Sequence, residues 1–139
     1  MTPWTVGFVE TIPCPTESPY LSLVKTGRSN IQRRDLIRKY HYMTKRYTIK
    51  NPELNEKIPR LRFILGKGAD DEDPAIKIML DQEQTRYKDI LIADFYDTYD
   101  NLPLKTLAGY EYVKEYCGNE EQNPKWIMFR DSLYKFLKS

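Results

Sequence analysis

The sequence predicts an α/β fold in which helices flank a mainly parallel sheet. Strand-like and helix-like segments alternate from Tyr20 onward, a pattern typical of parallel strands joined by right-handed crossovers. The segment from Asp89 to Ala93 ends in four consecutive apolar residues, as expected for a strand that is covered on both faces. A chain of 139 residues is about the size of one domain and can bury roughly two-thirds of its unfolded surface.

Residues 1–19 are predicted to form an extended lead-in outside the core, and residues 20–139 to form the domain. Proline lacks a backbone donor and restrains the residue before it, and the lead-in contains Pro3, Pro13, Pro15 and Pro19. Short apolar runs bounded by turn residues indicate strands, and they lie at Tyr20 to Val24, Leu61 to Leu65, Asp89 to Ala93 and Trp126 to Phe129. The last strand is expected at an open edge of the sheet.

The first predicted helix carries a basic cluster at its start. The S-x-x-Q capping box from Ser29 to Gln32 opens this helix, which is expected to run to about Tyr42 with Leu36, Ile37 and Tyr40 on its buried face. A helix dipole favours acids in the first turn, yet the early residues include Arg33, Arg34, Arg38 and Lys39. One interpretation is an anion such as phosphate, held by the guanidinium groups and the helix N–H groups. The other is a solvated basic face.

Two further helices have recognisable start residues. Asp73 is expected to cap the second, with Pro74 at its first position. Its buried face is predicted to contain Ile76, Leu80, Glu83 and Tyr87, which places Glu83 among apolar neighbours. The third has Pro103 in its first turn and Gly118 as its stop. A short terminal helix or tail follows from Asp131 to Lys138.

Composition and charge exclude several classes of function. The formal net charge is +2, from 22 basic and 20 acidic residues, which argues against nucleic acid as the main partner. No segment approaches the roughly 20 apolar residues of a membrane span, and no signal peptide is visible. One histidine and two cysteines without a CxxC motif argue against zinc. Cys14 and Cys117 either form one long-range disulfide or remain free thiols.

The segment from Asp94 to Thr106 is the strongest indication of a functional site. It has the sequence DFYDTYDNLPLKT and follows the third strand directly. In open α/β sheets, ligands bind at such loops, outside the carboxyl ends of the strands. The alternative is a hydrated loop in which Asp100 or Asn101 merely caps the next helix.

Several blocks, taken in order, resemble the β-1,3-galactosyltransferase-like family of glycosyltransferases, which is related to Fringe and includes β-1,3-N-acetylglucosaminyltransferases. Residues 33–39 are similar to the family's RRxxIRxTW helix, although Tyr40-His41 replaces Thr-Trp. The segment from Phe63 to Gly66 is similar to its F-x-L-G strand. The residues Glu83, Tyr87, Asp89 and Ile90 match E-xxx-Y-x-D-I, and DFYDTYDNLPLKT resembles DF-x-DSY-x-NLTLKT. The resemblance runs from about Tyr20 to Phe129.

This resemblance implies a GT-A, Rossmann-like fold and a hexosyltransferase that moves a sugar from a UDP-sugar donor to a glycan acceptor. The family forms β-1,3 bonds with inversion in protein glycosylation, and its members are type II Golgi membrane proteins. Arg33 and Arg38 are then candidates for diphosphate contact. Asp97 and Lys105 are candidates for uridine or phosphate contact, or for shaping that pocket.

The chain departs from the family pattern after its last strand. Where the family has K-T-D-D-D, an acidic motif that holds Mn²⁺ against the donor diphosphate, this chain has Arg130-Asp131-Ser132. Asp131 is a remnant of the metal site, and a single carboxylate coordinates a divalent ion poorly. The resemblance covers only the N-terminal part of the catalytic domain, so an incomplete enzyme is expected. The alternatives are a non-catalytic fragment or pseudoenzyme acting as a binding module, and an unrelated cytosolic nucleotide-binding domain.

Overall fold

The computed structural model describes residues 5–15, 20–50, 60–117 and 126–130. In chain order the elements are β1 (Phe8–Glu10), β2 (Tyr20–Lys25), α1 (Ile31–Lys50), β3 (Arg60–Lys67), α2 (Pro74–Tyr87), β4 (Ile90–Tyr96), a 3-10 turn (Tyr99–Asn101), α3 (Leu102–Tyr116) and β5 (Trp126–Arg130). The strands form one sheet in the order β1-β4-β3-β2-β5. All neighbouring strands are parallel except β1, which is antiparallel to β4. The predicted α/β fold with a mainly parallel sheet is confirmed.

Two apolar clusters cover the two faces of the sheet. One contains Leu23 and Leu91 packed with Ala108 and Tyr112 of α3. The other contains Val24, Phe63 and Ile90 packed with α2, and Ile37 of α1 joins it. Because successive side chains of a strand point to opposite faces, the adjacent residues Leu23 and Val24 serve different clusters. The prediction that the sheet is covered on both faces is confirmed.

The described part of the lead-in belongs to the core, so the prediction that it lies outside the core is wrong. Phe8 pairs with Ala93 and Glu10 with Ile92 at the edge of the sheet. Val6, Phe8, Ile12 and Cys14 pack against the cluster that α3 covers. The prolines of the lead-in flank this short strand and do not interrupt it. An edge strand of three residues is therefore compatible with the proline content.

A disulfide between Cys14 and Cys117 ties the lead-in to the end of α3. The sequence left a disulfide and free thiols as alternatives, and the structure has the disulfide. The hydroxyl oxygen of Tyr112 lies 3.0 Å from the carbonyl oxygen of Ile12 and 2.9 Å from that of Pro13. Burial raises the pKa of Tyr112.

Two predicted boundaries are wrong. The first helix continues to Lys50 and not to Tyr42, because no glycine or proline interrupts residues 31–50. Strand β4 extends through Tyr96, since the N–H of Asp94 donates to the carbonyl of Gly7 and Tyr96 pairs with Lys67. The loop between β4 and the 3-10 turn is therefore only two residues long.

The buried face of α1 also differs from the prediction. Leu36 and Tyr40 are exposed, whereas Arg34 is fully buried. The start of the second helix agrees with the sequence, because Asp73 caps it by accepting a hydrogen bond from the N–H of Ala75. Leu80 and Glu83 are buried as predicted, but Tyr87 is exposed. β5 is the end strand of the described sheet. The predicted stop at Gly118 and the terminal helix from Asp131 to Lys138 lie outside the described residues.

Candidate functional site

The topology of the sheet indicates where a ligand binds. From β2 the chain moves through β3 to β4 in one direction, and it then returns past β2 to form β5 on the other side. The strand order therefore reverses between β2 and β5. In open α/β sheets, ligands bind at such a switch point, outside the carboxyl ends of the strands. We call this end of the parallel strands the carboxyl edge and its opposite the amino edge, and we call residues Thr26, Gly27 and Arg28 the β2 loop.

Asp97 and Lys105 form a buried ion pair at the carboxyl edge. Their side chains are 7% and 5% exposed, and a carboxylate oxygen of Asp97 lies 2.6 Å from Nζ of Lys105. The other oxygen of Asp97 accepts the N–H of Arg28 at 2.7 Å. Nζ of Lys105 donates to the carbonyl of Thr26 at 2.8 Å. The two predicted residues thus meet, and together they hold the β2 loop against β4 and α3.

The side chain of Arg28 ties the β2 loop to the end of β3. Its Nε and Nη2 donate to the two carboxylate oxygens of Glu72, at 2.6 and 2.9 Å. Its Nη1 donates to the carbonyl of Gly66 at 3.1 Å. A bidentate arginine–carboxylate pair is geometrically specific as well as strong. The loop is therefore held on the β3 side as well as on the β4 side.

Arg34 supports the β2 loop from α1. Its side chain is fully buried and donates to both carboxylate oxygens of Glu83, at 2.6 and 2.9 Å. Its remaining donors reach the carbonyls of Gly27 and Arg28, at 2.5 and 3.0 Å, and the hydroxyl of Thr26 at 3.2 Å. For Arg34, the anionic partner is therefore a carboxylate of α2.

Arg38 lies at the amino edge, away from Asp97. Its guanidinium donates to Asp89 and Glu83, and it lies 4.1 Å from the ring centroid of Tyr87. Asp89 directly precedes the first residue of β4, whereas Asp97 directly follows the last. Burial alone lowers the pKa of Arg38, but the hydrogen bonds and charges of Asp89 and Glu83 outweigh it and raise that pKa.

These contacts give Arg38 a structural role, and its predicted diphosphate contact has no support in its position. Arg33 is half-buried in the first turn of α1 beside Arg34. Diphosphate contact by Arg33 stays a prediction. The structure therefore brings Asp97 and Lys105 together, places Arg33 near the start of α1, and places Arg38 at the amino edge.

The alternative in which Asn101 merely caps the third helix is wrong. Asn101 precedes α3 but makes no capping hydrogen bond with its side chain. Its amide donates instead to the carbonyl of Tyr96 at 2.7 Å. This contact closes the short connection between β4 and α3. The connection therefore has a fixed shape.

Cationic and aromatic side chains also line the carboxyl edge. Nζ of Lys25 donates to the hydroxyl of Thr106 at 3.1 Å, which links β2 to α3. Nζ of Lys67 pairs with Asp94 and lies 4.9 Å from the ring centroid of Tyr96, and the hydrogen bond and charge of Asp94 raise the pKa of Lys67. Tyr99 is 82% exposed. The edge thus contains two lysine side chains and an exposed aromatic ring.

Two grooves open at opposite ends of the described structure. A groove of about 330 Å³ lies beside the carboxyl edge and is lined by Arg28, Lys67, Glu72 and Ile92, among others. A larger groove of about 660 Å³ lies at the amino edge and is lined by residues that include Pro13, Arg38, His41, Arg60, Arg62 and Asp89. The size of the grooves alone favours a ligand site at the amino edge, whereas the topology of the sheet favours a ligand site at the carboxyl edge.

Comparison with known proteins identifies the family. The galactosyltransferase family model matches residues 32–132, which is well over half of the chain. The chain belongs to the galactosyltransferase family. The match includes α1, β3, α2, β4 and α3, and therefore every helix that contributes to the carboxyl edge.

Individual galactosyltransferase relatives match shorter segments. The chain is 41% identical over 70 residues to the UDP-GalNAc:beta-1,3-N-acetylgalactosaminyltransferase 1 of Mus musculus, a segment that is 50% of this chain and 20% of that protein. The Homo sapiens protein of the same name is 40% identical over 70 residues, which are again 50% of this chain and 20% of that protein. Beta-1,3-galactosyltransferase 1 of Mus musculus is 39% identical over 85 residues, 55% of this chain and 24% of that protein. The matched segments thus span a fifth to a quarter of these relatives.

The Mn²⁺ site that the galactosyltransferase resemblance implies would lie at Asp131, after the last described strand. Within residues 5–15, 20–50, 60–117 and 126–130, no group of three or more His, Cys, Asp or Glu side chains is placed to hold a metal ion. The candidate ligand Asp131 lies outside those ranges. In the described part of the chain, no helix is long and apolar enough to cross a membrane.

Sequence reasoning missed two of the residues that hold this galactosyltransferase edge together, Arg28 and Glu72. Neither belongs to a recognised block, and their partnership joins residues 44 positions apart. Gly66 was predicted only as the end of a strand. The pairing register between β3 and β4 shifts after this glycine. A glycine at that point was the one available signal that another backbone segment approaches closely.

Gly66→Ala is expected to destabilise the protein by about 1–3 kcal/mol, because a Cβ there has no room. It would lie 2.7 Å from the backbone of Asp97, and backbone atoms cannot rotate away. Thermal unfolding followed by circular dichroism measures the change. Gly27→Ala is the control, since its Cβ would meet only the side chain of Asn30, at 3.3 Å. An equal loss of stability in both variants would contradict this explanation.

Proposed function

We propose that this chain binds the UDP portion of a sugar donor at the carboxyl edge and so forms the donor half of a β-1,3-glycosyltransferase site. The observation that carries the proposal is the buried Asp97–Lys105 pair. It holds the β2 loop, which borders the switch point of the sheet, against the residues that follow β4. Membership of the galactosyltransferase family supports it. The name of one relative, UDP-GalNAc:beta-1,3-N-acetylgalactosaminyltransferase 1, specifies a UDP-sugar donor and a β-1,3 linkage for that protein.

In this proposal the residues of the edge have separate roles. Asp97 and Lys105 shape the pocket, because both are buried and satisfied by each other and by the β2 loop. The positive groups of Lys25, Arg33 and Lys67 offset the charge of the donor diphosphate. An exposed aromatic face such as that of Tyr99 suits stacking against the uracil ring.

The reaction proposed for the complete site is transfer of a hexose or N-acetylhexosamine to a hydroxyl of a glycan acceptor. The anomeric carbon breaks its bond to the diphosphate oxygen, and the bonding electrons leave with UDP. It forms a bond to the acceptor oxygen with inversion, and the acceptor hydroxyl releases its proton to a general base of the complete site. Because Asp131, the ligand implied for Mn²⁺, lies outside the described residues, no step is assigned to Mn²⁺. The family's use of Mn²⁺ remains a proposal that a titration with and without the ion tests.

We place the protein on the secretory route, in the Golgi, where the family carries out protein glycosylation. The Cys14–Cys117 disulfide supports this placement, since disulfides persist in oxidising compartments and are rare in the cytosol. The same observation, together with family membership, disfavours an unrelated cytosolic nucleotide-binding domain. A non-catalytic binding module shares the proposed donor site and differs only in lacking transfer.

Calorimetric titration with UDP tests the proposal. Wild-type protein is expected to bind UDP, and Asp97→Asn to bind it at least about tenfold more weakly. Both oxygens of Asp97 accept hydrogen bonds, from Lys105 and from the N–H of Arg28, and the NH2 group of asparagine would face one of these donors and loosen the β2 loop. Each titration is run with Mn²⁺ and with a chelator. Thermal melting of every variant shows whether it is folded under the titration conditions.

Asp89→Asn is the matched control, because Asp89 is a similarly buried carboxylate that pairs with an arginine at the amino edge. Its UDP affinity is expected to equal that of the wild type. Wild-type protein that fails to bind UDP in either buffer would contradict the proposed function. UDP binding without sugar release from a UDP-sugar would identify a binding module.

A further inference from the structure

The β2 loop is held by Arg34 through every donor of its side chain. A guanidinium has five N–H donors in a rigid planar fork. In this structure two of them go to Glu83, and three go to the backbone carbonyls of Gly27 and Arg28 and the hydroxyl of Thr26. Arg34 is therefore both buried and completely satisfied.

The carbonyls that Arg34 holds belong to the loop whose other groups meet the Asp97–Lys105 pair. When the carbonyl of Arg28 points to Arg34, the N–H of the same residue donates to Asp97. The side chain of Thr26 contacts Arg34, while its carbonyl accepts from Lys105. One surface of the loop thus faces the helix layer, and the opposite surface faces the candidate site.

We propose that the Arg34–Glu83 pair positions the donor site, by holding the β2 loop in the conformation that meets Asp97 and Lys105. This inference rests on the proposed function for the identity of the ligand. Arg34 is a positioning residue, because its donors are all occupied by protein groups and none remains for a ligand. Glu83 orients the guanidinium by a bidentate contact, so that the three remaining N–H donors face the loop.

The variant Arg34→Lys distinguishes the positioning role of the Arg34 side chain from the effect of its positive charge. Lysine keeps a positive charge opposite Glu83, but its three donors radiate from one atom and cannot span the carboxylate and both loop carbonyls. Charge-assisted hydrogen bonds to the loop are lost in this variant. Hydrogen exchange of the Arg28 amide, measured by NMR, is therefore expected to become at least about tenfold faster. The affinity for UDP is expected to become at least about tenfold weaker. Asp89→Asn alters the same ion network at the amino edge and is expected to change neither quantity.

A second variant covers the case in which Arg34→Lys fails to fold. Arg34→Met combined with Glu83→Leu removes both buried charges together, which is better tolerated than removing one. The same faster exchange at Arg28 and weaker UDP binding are expected from it.

A folded variant with wild-type exchange at Arg28 would overturn the positioning role. Faster exchange with unchanged UDP affinity would also overturn it, since the loop would then lie outside the donor site. If wild-type protein does not bind UDP, the proposed function fails, and the inference that Arg34 positions a donor site fails with it. Exchange at Arg28 then reports separately whether Arg34 orders the loop.

Discussion

Replacing Glu83 by leucine is expected to lower the free energy of unfolding by about 3–5 kcal/mol, because removing one partner of a buried ion pair leaves the other charge uncompensated. The side chain of Glu83 is 1% exposed and accepts hydrogen bonds from both Arg34 and Arg38. Arg38 keeps Asp89 as a partner, whereas Arg34 keeps only the neutral groups of the β2 loop. Denaturant unfolding followed by circular dichroism measures the loss.

The double variant Arg34→Met/Glu83→Leu is expected to recover most of this loss, since it leaves fewer buried charges unpaired. Asp81→Ala is the surface control. It breaks the exposed pair of Lys77 and Asp81 on the same helix and is expected to change stability by less than about 1 kcal/mol. A Glu83→Leu variant as stable as Asp81→Ala would show that the buried network contributes nothing to stability.

Removing the disulfide is expected to cost about 4–5 kcal/mol, because Cys14 and Cys117 are 103 residues apart and the loop-entropy term for a loop of that size is about 4.7 kcal/mol. The bond holds the lead-in against α3, where the lead-in also contributes to the apolar cluster. The double variant Cys14→Ser/Cys117→Ser should therefore unfold at a markedly lower denaturant concentration.

Reduction of the wild-type protein should reproduce the lower unfolding midpoint of the serine variant. The reducing agent should leave the midpoint of the serine variant itself unchanged, which serves as the control. Equal midpoints for oxidised and reduced wild-type protein would contradict the assigned contribution of the disulfide.

Sequence patterns predicted the fold well because its elements depend on local periodicity. The apolar run from Ile90 to Ala93 predicted a strand covered on both faces, and both faces are covered. The helix start at Asp73 was predictable from cap chemistry. The lead-in strand was not, because three residues at a sheet edge carry no periodic signal and their partner, β4, lies more than 80 residues later.

The candidate site was predicted only in part, because some of its contacts also join residues that are far apart in the sequence. Loop position at a strand end singled out Asp97 and Lys105, which do meet. The basic start of α1 and the acid on the apolar face of α2 were each recognised, yet nothing local indicated that Arg34 and Glu83 pair across 49 residues. Arg38 was assigned to the site, with Arg33, because both belong to the helix start that follows β2 and resembles the family motif. One more turn of helix carries it to the amino edge and its own acidic partner, Asp89.

Mapping the UDP-binding surface by NMR tests the central claim most directly. Backbone amide shifts of the wild-type chain, followed during a UDP titration, are expected to change most in the β2 loop and in residues 97–106. The groove at the amino edge, lined by residues that include Arg38, Arg60 and Asp89, is expected to show no comparable change. Shift changes centred on that groove, with the β2 loop unaffected, would contradict the assignment of the donor site to the carboxyl edge.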